Sequence, residues 1–596
     1  MAAIWGLPKA WRHAFTRTSA THLGVCGLLA WLACALSAHA QTLPDAGAIQ
    51  REIERQQPMR PPATAPQAPP VMPAAEPRPD EMQFQIKAFA LQGVTLLQQS
   101  EVQAVLQPWL GRPIQFSDLE RAKQAIADLY QSQGWFARPQ IPEQELQDDG
   151  EITLHVIEGR LGAVRTEHEA LAPEAAQRID RERIVRTFTA RQQVGEHLYM
   201  PHIERAISLL NDTPGMGVSA TLATGDAPAA SDIVVTPMAR SLFSGSATLD
   251  NAGSRSTGAQ KATVAMSLDN PAGWGDQTAL NLMASEGVRY GRVAYSLPLG
   301  YDGVRLGLNA SSMRYHVIFP MSESNPSYPR GTADTQGLSL SWPALRSGAN
   351  NIYLSGTLDQ KHFVNEIYNP DTANINQLSN KRLGVGGVSA SGDHSDAWGE
   401  GGMTQWSLGW VRGHVNLWAN LQNQQQDQQG PGTQGHYEKF SVSLSRLQRL
   451  SASHTLWLSL QGQRSDKNLD SSEKFSLGGA QGVRGFPSAE GSGDHGWLAT
   501  LESRRLLSAQ WQWTLFYDHG QITVNHRPYV GANGPSHVAL RSWGTSLNYT
   551  QPGLGVARLS WARRIHTSPL ANEKTGLDGD GSLLRNRFWF SVTAFF

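Results

Sequence analysis

From about Ser241 to Phe596 apolar and polar residues alternate one by one, and a period of two selects β-strands. Leu338, Leu340 and Trp342 alternate with Ser339 and Ser341; Phe440, Val442 and Leu444 with Ser441, Ser443 and Ser445; Leu456, Leu458 and Leu460 with Thr455, Trp457 and Ser459. The last segment puts Phe588, Phe590, Val592, Ala594 and Phe596 on one face. Sixteen or seventeen such segments are separated by Gly, Asn, Asp and Pro clusters. A single-chain outer-membrane barrel has an even number of strands, so sixteen are expected, with Phe475–Leu477 assigned to a loop. The apolar faces have no helix layer to cover them, which disfavours a soluble propeller or sandwich. The opposite faces carry Ser, Thr, Gln and Arg, as a wet lumen would. Mean hydropathy is −0.36, and no run of 18 apolar residues follows residue 40, so a bundle of membrane helices is excluded. With 50 Lys+Arg against 51 Asp+Glu, nothing points to nucleic acid.

The first 40 residues read differently. Lys9, Arg12 and Arg17 precede an apolar stretch that closes on Ala38-His39-Ala40, a secretory signal with cleavage expected between Ala40 and Gln41. The two cysteines, Cys26 and Cys34, lie inside it, so the exported chain is expected to hold neither disulfide nor thiol. From Asp45 to Gln57, Ile49 and Ile53 form a thin stripe among Arg51, Glu52, Glu54 and Arg55. Such a helix is marginal alone and needs a surface to dock on. Nine prolines between Pro58 and Pro79 make an extended, semi-rigid tether.

Two small α+β units are expected next. In the first, a strand runs from Phe84 to Gly93, a helix over Gln99–Leu110, and a second helix opens on a capping box at Ser117-Asp118-Leu119-Glu120. Strands follow near Trp135–Arg138 and Ile152–Ile157. The order repeats from Leu161, with helices near Ala172–Phe188 and from Pro201, and strands near Gly217–Leu222 and Asp232–Thr236. The expected divisions are 1–40 signal peptide, 41–57 helix, 58–82 linker, 83–160 and 161–239 α+β units, and 240–596 barrel with a long loop at about 466–495.

Several short motifs sit on this frame. The first unit carries Gly134-Trp135-Phe136, Pro142-Glu143-Gln144, Gly150 and Glu158-Gly159; the second carries Leu210-Asn211-Asp212 and Pro214-Gly215. The barrel opens with Asp250-Asn251, Gly253 and Thr257-Gly258, then Ser296-Leu297-Pro298-Leu299-Gly300. Gly478-Gly479 precedes Val483-Arg484-Gly485-Phe486, and Phe516-Tyr517-Asp518-His519-Gly520 lies further on. In this order the motifs resemble the outer-membrane transporters of two-partner secretion, the TpsB family of haemolysin and filamentous-haemagglutinin secretion. The resemblance implies a plug helix (Ile49, Arg51, Glu52, Ile53), two POTRA domains and a sixteen-stranded transmembrane β-barrel. It implies that the loop folds back so that Arg484 pairs with the lumen-facing Asp518, a two-hydrogen-bond match of guanidinium and carboxylate.

The function so implied is export of a large, unfolded exoprotein, bound through the POTRA domains in the periplasm and passed across the outer membrane. The implied partners are that client, outer-membrane lipid and the barrel-assembly machinery, with Phe596 as assembly signal. A barrel-assembly factor of the same superfamily and a passive porin are the alternatives. No nucleotide loop, metal spacing or catalytic constellation is found, so no enzyme activity and no cofactor is expected. Asp578-Gly579-Asp580-Gly581 reads as a surface turn rather than a calcium loop. Without a nucleotide motif, client folding outside the cell is the expected drive.

Overall fold

The computed structural model describes residues 45–56, 84–144, 150–167, 178–319, 326–532 and 534–596. The expected cleavage site at Ala40 and Gln41, and the linker 58–82, lie outside the described residues. Sixteen antiparallel strands close into a barrel, from Phe243–Asp250 to Asn586–Phe595, each hydrogen-bonded to its sequence neighbours and the last to the first. Alternation sorts the side chains as expected. Leu340, Val442, Leu458 and Phe588 are exposed outward, while Asp518, Ser542 and Trp589 on the same or adjoining strands are buried inward. Phe475–Ser476 pairs only with Ser492–Gly493, a two-residue ladder inside the long loop and apart from the barrel wall.

The wall is uneven. The seventh and eighth strands, Asn350–Asn369 and Asn374–Asp396, pair over twenty positions. The seam between last and first strands pairs over five. Phe596 extends that seam: its N–H donates to the Gly245 carbonyl at 3.0 Å, and its ring stacks on Phe243.

Two α+β units precede the barrel, with one topology. In the first, Ala88–Gln92 runs parallel to Glu151–Glu158, which pairs antiparallel with Ala137–Gln140. In the second, Arg160–Thr166 runs parallel to Ala230–Ala239, which pairs antiparallel with Met216–Thr224. Among the described residues two helices cover each sheet: Gln99–Leu106 and Phe116–Ser132, then Arg181–Thr189 and Met200–Asn211. Ile126 and Leu154 centre the first core, Ile184 and Val235 the second.

Some local expectations shift. The strand expected from Phe84 to Gly93 breaks in two, because Phe84–Gln85 turns away to pair with Pro113–Ile114. That pairing leaves Gln115 extended at the helix N-cap, so the capping box is formed by Gln115 and Asp118 instead of Ser117 and Glu120; Asp118 accepts from the Gln115 N–H at 3.0 Å. Glu120 instead pairs with Lys123 on the exposed face.

Candidate functional site

The second α+β unit is fastened to one end of the barrel. Asp212, from the Leu210-Asn211-Asp212 motif, accepts two hydrogen bonds from Arg346 at 2.7 and 3.0 Å. Asp302, in the turn between the fourth and fifth strands, accepts from Arg191 twice at 2.8 Å and from Arg205 at 3.0 Å. Burial pushes the Asp302 carboxyl up, but the hydrogen bonds from Arg191 and Arg205 outweigh it and hold it below the usual carboxylate range. The neighbouring Asn211 closes its own turn, accepting from the Val218 N–H and donating to the Val218 carbonyl, both at 3.0 Å.

The two units are joined by more than a linker. The segment 195–200 adds backbone bonds to both: Phe136 N–H to the Leu198 carbonyl, Leu198 N–H to Gly159, Leu161 N–H to Glu196 and Met200 N–H to Gly134. Beneath it Glu158 accepts from the Thr95 and Leu96 N–H groups at 2.7 and 2.8 Å, from Tyr130 at 2.9 Å and from the Thr95 hydroxyl. Burial pushes the Glu158 carboxyl up, yet these donors bring it below its ordinary value.

Two segments fill the lumen. From outside, the loop between Ser465 and His495 folds inward and ends in the turn Val483–Phe486. Gly482 permits the turn, since a Cβ there would lie 1.8 Å from the Leu477 carbonyl oxygen. Val483 and Phe486 are wholly buried against Leu477, Leu498, Ile522 and Val538, and Gly485 presses on the backbone of Arg564. Between them Arg484 reaches the wall. Its Nε and Nη2 donate to the two oxygens of Asp518 at 2.9 and 2.7 Å, and its backbone N–H also donates to Asp518 at 3.1 Å. Its Nη1 donates to Glu502 at 2.8 Å, its guanidinium lies over the Phe516 ring at 3.4 Å, and its carbonyl accepts from the Trp589 indole at 2.8 Å. Asp518 is 0% exposed and Arg484 4%. Phe516 opens the Phe516–Gly520 motif, whereas Glu502 and Trp589 carry no motif that sets them apart. The only sequence signal for Glu502 was a carboxylate on the lumen face of an alternating strand.

Beside the loop lies the helix Ala46–Gln56. Asp45 caps it, accepting from the Ala48 N–H at 2.9 Å, and pairs with Lys381 of the wall at 2.9 Å. Ile49 and Ile53 do not face water. They pack on an apolar patch of the lumen wall that includes Tyr290, Met313, Tyr315, Phe363 and Tyr437, so the lumen is not uniformly polar. The other side of the helix rests on the loop. Arg51 donates to the carbonyls of Ser471 and Lys474, both at 2.6 Å, and Arg55 to those of Ser476 and Gly478 at 2.9 and 3.1 Å. Glu52 stays within the helix, accepting from Arg55 at 3.0 Å and Gln56 at 2.7 Å. Gly47 lies so close to the loop that a Cβ would meet Ser472 Cβ at 2.8 Å. The loop is tied to the wall here as well: Glu473 pairs with Lys361 at 2.8 Å and Lys439 at 2.7 Å, and Asp470 with Lys381 at 2.7 Å.

Asp578 is not on the surface as the sequence suggested. It is 0% exposed and pairs with Arg564 at 2.6 Å and Arg587 at 3.4 Å. Among the described residues no His, Cys, Asp and Glu cluster has the geometry of a metal site.

This architecture defines an outer-membrane transporter barrel with periplasmic POTRA domains. A family model for haemolysin secretion/activation protein ShlB/FhaC/HecB matches residues 229–549, and a POTRA domain model of ShlB type matches residues 84–159. The chain belongs to that family, the outer-membrane pores of two-partner secretion. It is 24% identical over 579 residues to a heme/hemopexin transporter protein HuxB of Haemophilus influenzae, covering 92% of this chain and 94% of that one. It is 29% identical over 425 residues to the outer membrane transporter CdiB of Dickeya dadantii, covering 69% and 71%. Both relatives are named as transporters. In fold it is similar to the solved structure of CdiB from Escherichia coli, with a TM-score of 0.64 at 20% identity over 92% of this chain and 95% of that one.

Proposed function

We propose that the pore exports one large exoprotein, captured unfolded in the periplasm by strand addition to the second POTRA domain. Among the described residues the outer edge of Met216–Thr224 carries no further strand. Because the Val218 N–H points outward to Asn211, alternation turns the N–H groups of Ala220 and Leu222 outward too. Backbone bonding there holds an extended client with little regard to its sequence. The helix Ala46–Gln56 plugs the resting lumen and leaves it on its proline-rich tether when the client enters. Arg484 with Asp518 locks the loop throughout. Folding of the client outside makes return unfavourable and supplies the drive. Phe596 serves as the assembly signal for barrel insertion.

The observation that carries this reading is the helix itself, a separately tethered element seated in the pore by side-chain contacts. Co-expression with candidate clients tests it: the client should reach the medium with the wild-type chain. Leu222→Pro removes one outward N–H and leaves the ladder to Ala230–Ala239 intact, so client capture should fall while the barrel folds. Capture unchanged by Leu222→Pro would move the docking edge elsewhere.

A further inference from the structure

The outward face of the barrel carries a second pattern, at the end away from the POTRA domains. Arg289, Arg314, Arg382, Arg464, Arg541 and Arg563 are exposed there. Each shares its strand face with exposed apolar residues nearer the middle of the wall: Arg289 with Val293, Arg314 with Leu308, Arg382 with Val388, Arg563 with Leu559. All six therefore face the lipid side.

Their level is marked by aromatic residues. Arg464 lies directly across from Phe440, and Arg563 from Trp543, which packs edge-on against Trp561 at 5.2 Å. Outward aromatic rings collect where acyl chains give way to headgroups. The arginines thus stand at headgroup level, where their stems stay on apolar surface and their guanidinium groups reach the boundary.

Arg541 donates to His519 at 3.2 Å; among the described residues no hydrogen bond or ion pair holds the side chains of Arg289, Arg314, Arg382, Arg464 or Arg563. The carboxylates on the same faces are Asp334, Glu366 and Glu438. Glu366 is taken by Arg330 at 3.1 Å, and Glu438 lies 3.9 Å from Arg412. Asp334 sits diagonal to Arg314 across the fifth and sixth strands, with no ion pair to it. Arg289 and Arg314 occupy directly opposed positions on the fourth and fifth strands. Like charges so placed destabilise a strand pair unless an anion lies between them.

We propose that this arginine girdle binds the phosphate groups of the phosphorylated glycolipid in the outward leaflet, with Arg289 and Arg314 clamping one phosphate between them. Guanidinium forks match phosphate oxygens in pairs, and a bound phosphate turns the opposed arginines from a repulsive pair into a joint site. The girdle fixes the height of the barrel in the membrane, so that the lumen helix and locked loop stay in register with its two faces.

The test uses the full chain, folded in detergent and incubated with purified bisphosphorylated lipid A, then examined by native mass spectrometry for retained glycolipid. Wild type should retain it, and R289Q/R314Q should lose affinity roughly thirtyfold. R289K/R314K, which keeps charge without the fork, should fall between them. Arg505→Gln, at the POTRA end of the wall, should bind as wild type. Heat-modified gel mobility confirms that each variant barrel is folded. Enzymatically dephosphorylated lipid A, phosphatidylglycerol and inorganic phosphate are the competitors. Unchanged retention by a folded R289Q/R314Q variant would overturn the proposal. So would equal competition by the dephosphorylated lipid, by phosphatidylglycerol or by inorganic phosphate.

Discussion

The two occupants of the lumen are held by different chemistry. At the loop tip the Arg484 guanidinium satisfies Asp518, shares Glu502 with Arg504 and stacks on Phe516, and the Trp589 indole holds the Arg484 carbonyl. Removing Arg484 leaves the wholly buried Asp518 without a cation. The helix is held by weaker contacts spread along its length: Arg51 and Arg55 to loop carbonyls, Lys381 to Asp45, the Ala46 N–H to Asn365, Gln50 to Thr335, and the apolar seat of Ile49 and Ile53. Each of those polar groups can be rehydrated when the helix leaves a water-filled lumen. On the proposed reading the tip is a fixture and the helix a removable part, although both lie inside the same barrel. Net gain from a buried ion pair is small, while breaking one is expensive. The lock sets position more than it adds stability.

The sharpest break in that contrast is Arg484→Ala. It leaves Asp518 buried without its cation, while Glu502 keeps Arg504 at 2.8 Å, and should cost about 3–5 kcal/mol, read as a lowered urea midpoint of the detergent-folded barrel. A midpoint equal to wild type would place the lock among the removable contacts. Deleting residues 45–57 should do the reverse: single-channel conductance in planar bilayers rises several-fold while the urea midpoint moves by less than about 1 kcal/mol. Conductance unchanged by the deletion would mean that the helix does not close the pore.

Gly47→Ala sharpens the comparison further. Alanine raises helix propensity by about 1 kcal/mol, but its Cβ collides with Ser472. Conductance between that of wild type and the deletion is expected, because docking rather than helicity limits closure. The smallest effect is outside the lumen. Glu158 has a carboxyl below its ordinary value in the folded chain. Its stabilisation is full above about pH 4.3, the unfolded value, and is lost as pH falls through the lower folded value. Glu158→Gln should loosen the first POTRA domain by about 1–3 kcal/mol and flatten that acid dependence, seen by hydrogen exchange at Thr95 and Leu96, with barrel exchange unaltered.

The barrel could be read from the sequence because period-two alternation is a direct image of a wall with lipid on one side and water on the other. Leu458 and Ser459 differ for that reason alone. The pairing of Arg484 with Asp518 was legible only through motif resemblance, since 34 residues separate them and only closure of the wall brings them together. Glu502 and Trp589 were not legible, as any lumen-facing position can hold a polar or aromatic residue. The apolar seat of Ile49 and Ile53 was hidden for a related reason. It is assembled from single residues on several strands, among them Tyr290, Phe363 and Tyr437, and none stands out in its own strand. The buried Asp578 was mistaken for a surface turn because its partners, Arg564 and Arg587, sit on the last two strands and meet only in the closed wall.

The central claim is that the helix must leave the lumen for a client to pass. Cysteines in place of Gly47 and Ser472 start with Cβ atoms 2.8 Å apart, so a shift of about 1 Å seats a disulfide that oxidant closes and reductant releases. With the crosslink closed, conductance should stay low and no client should reach the medium; reduction should restore export. Normal export through the oxidised, crosslinked pore would contradict the account.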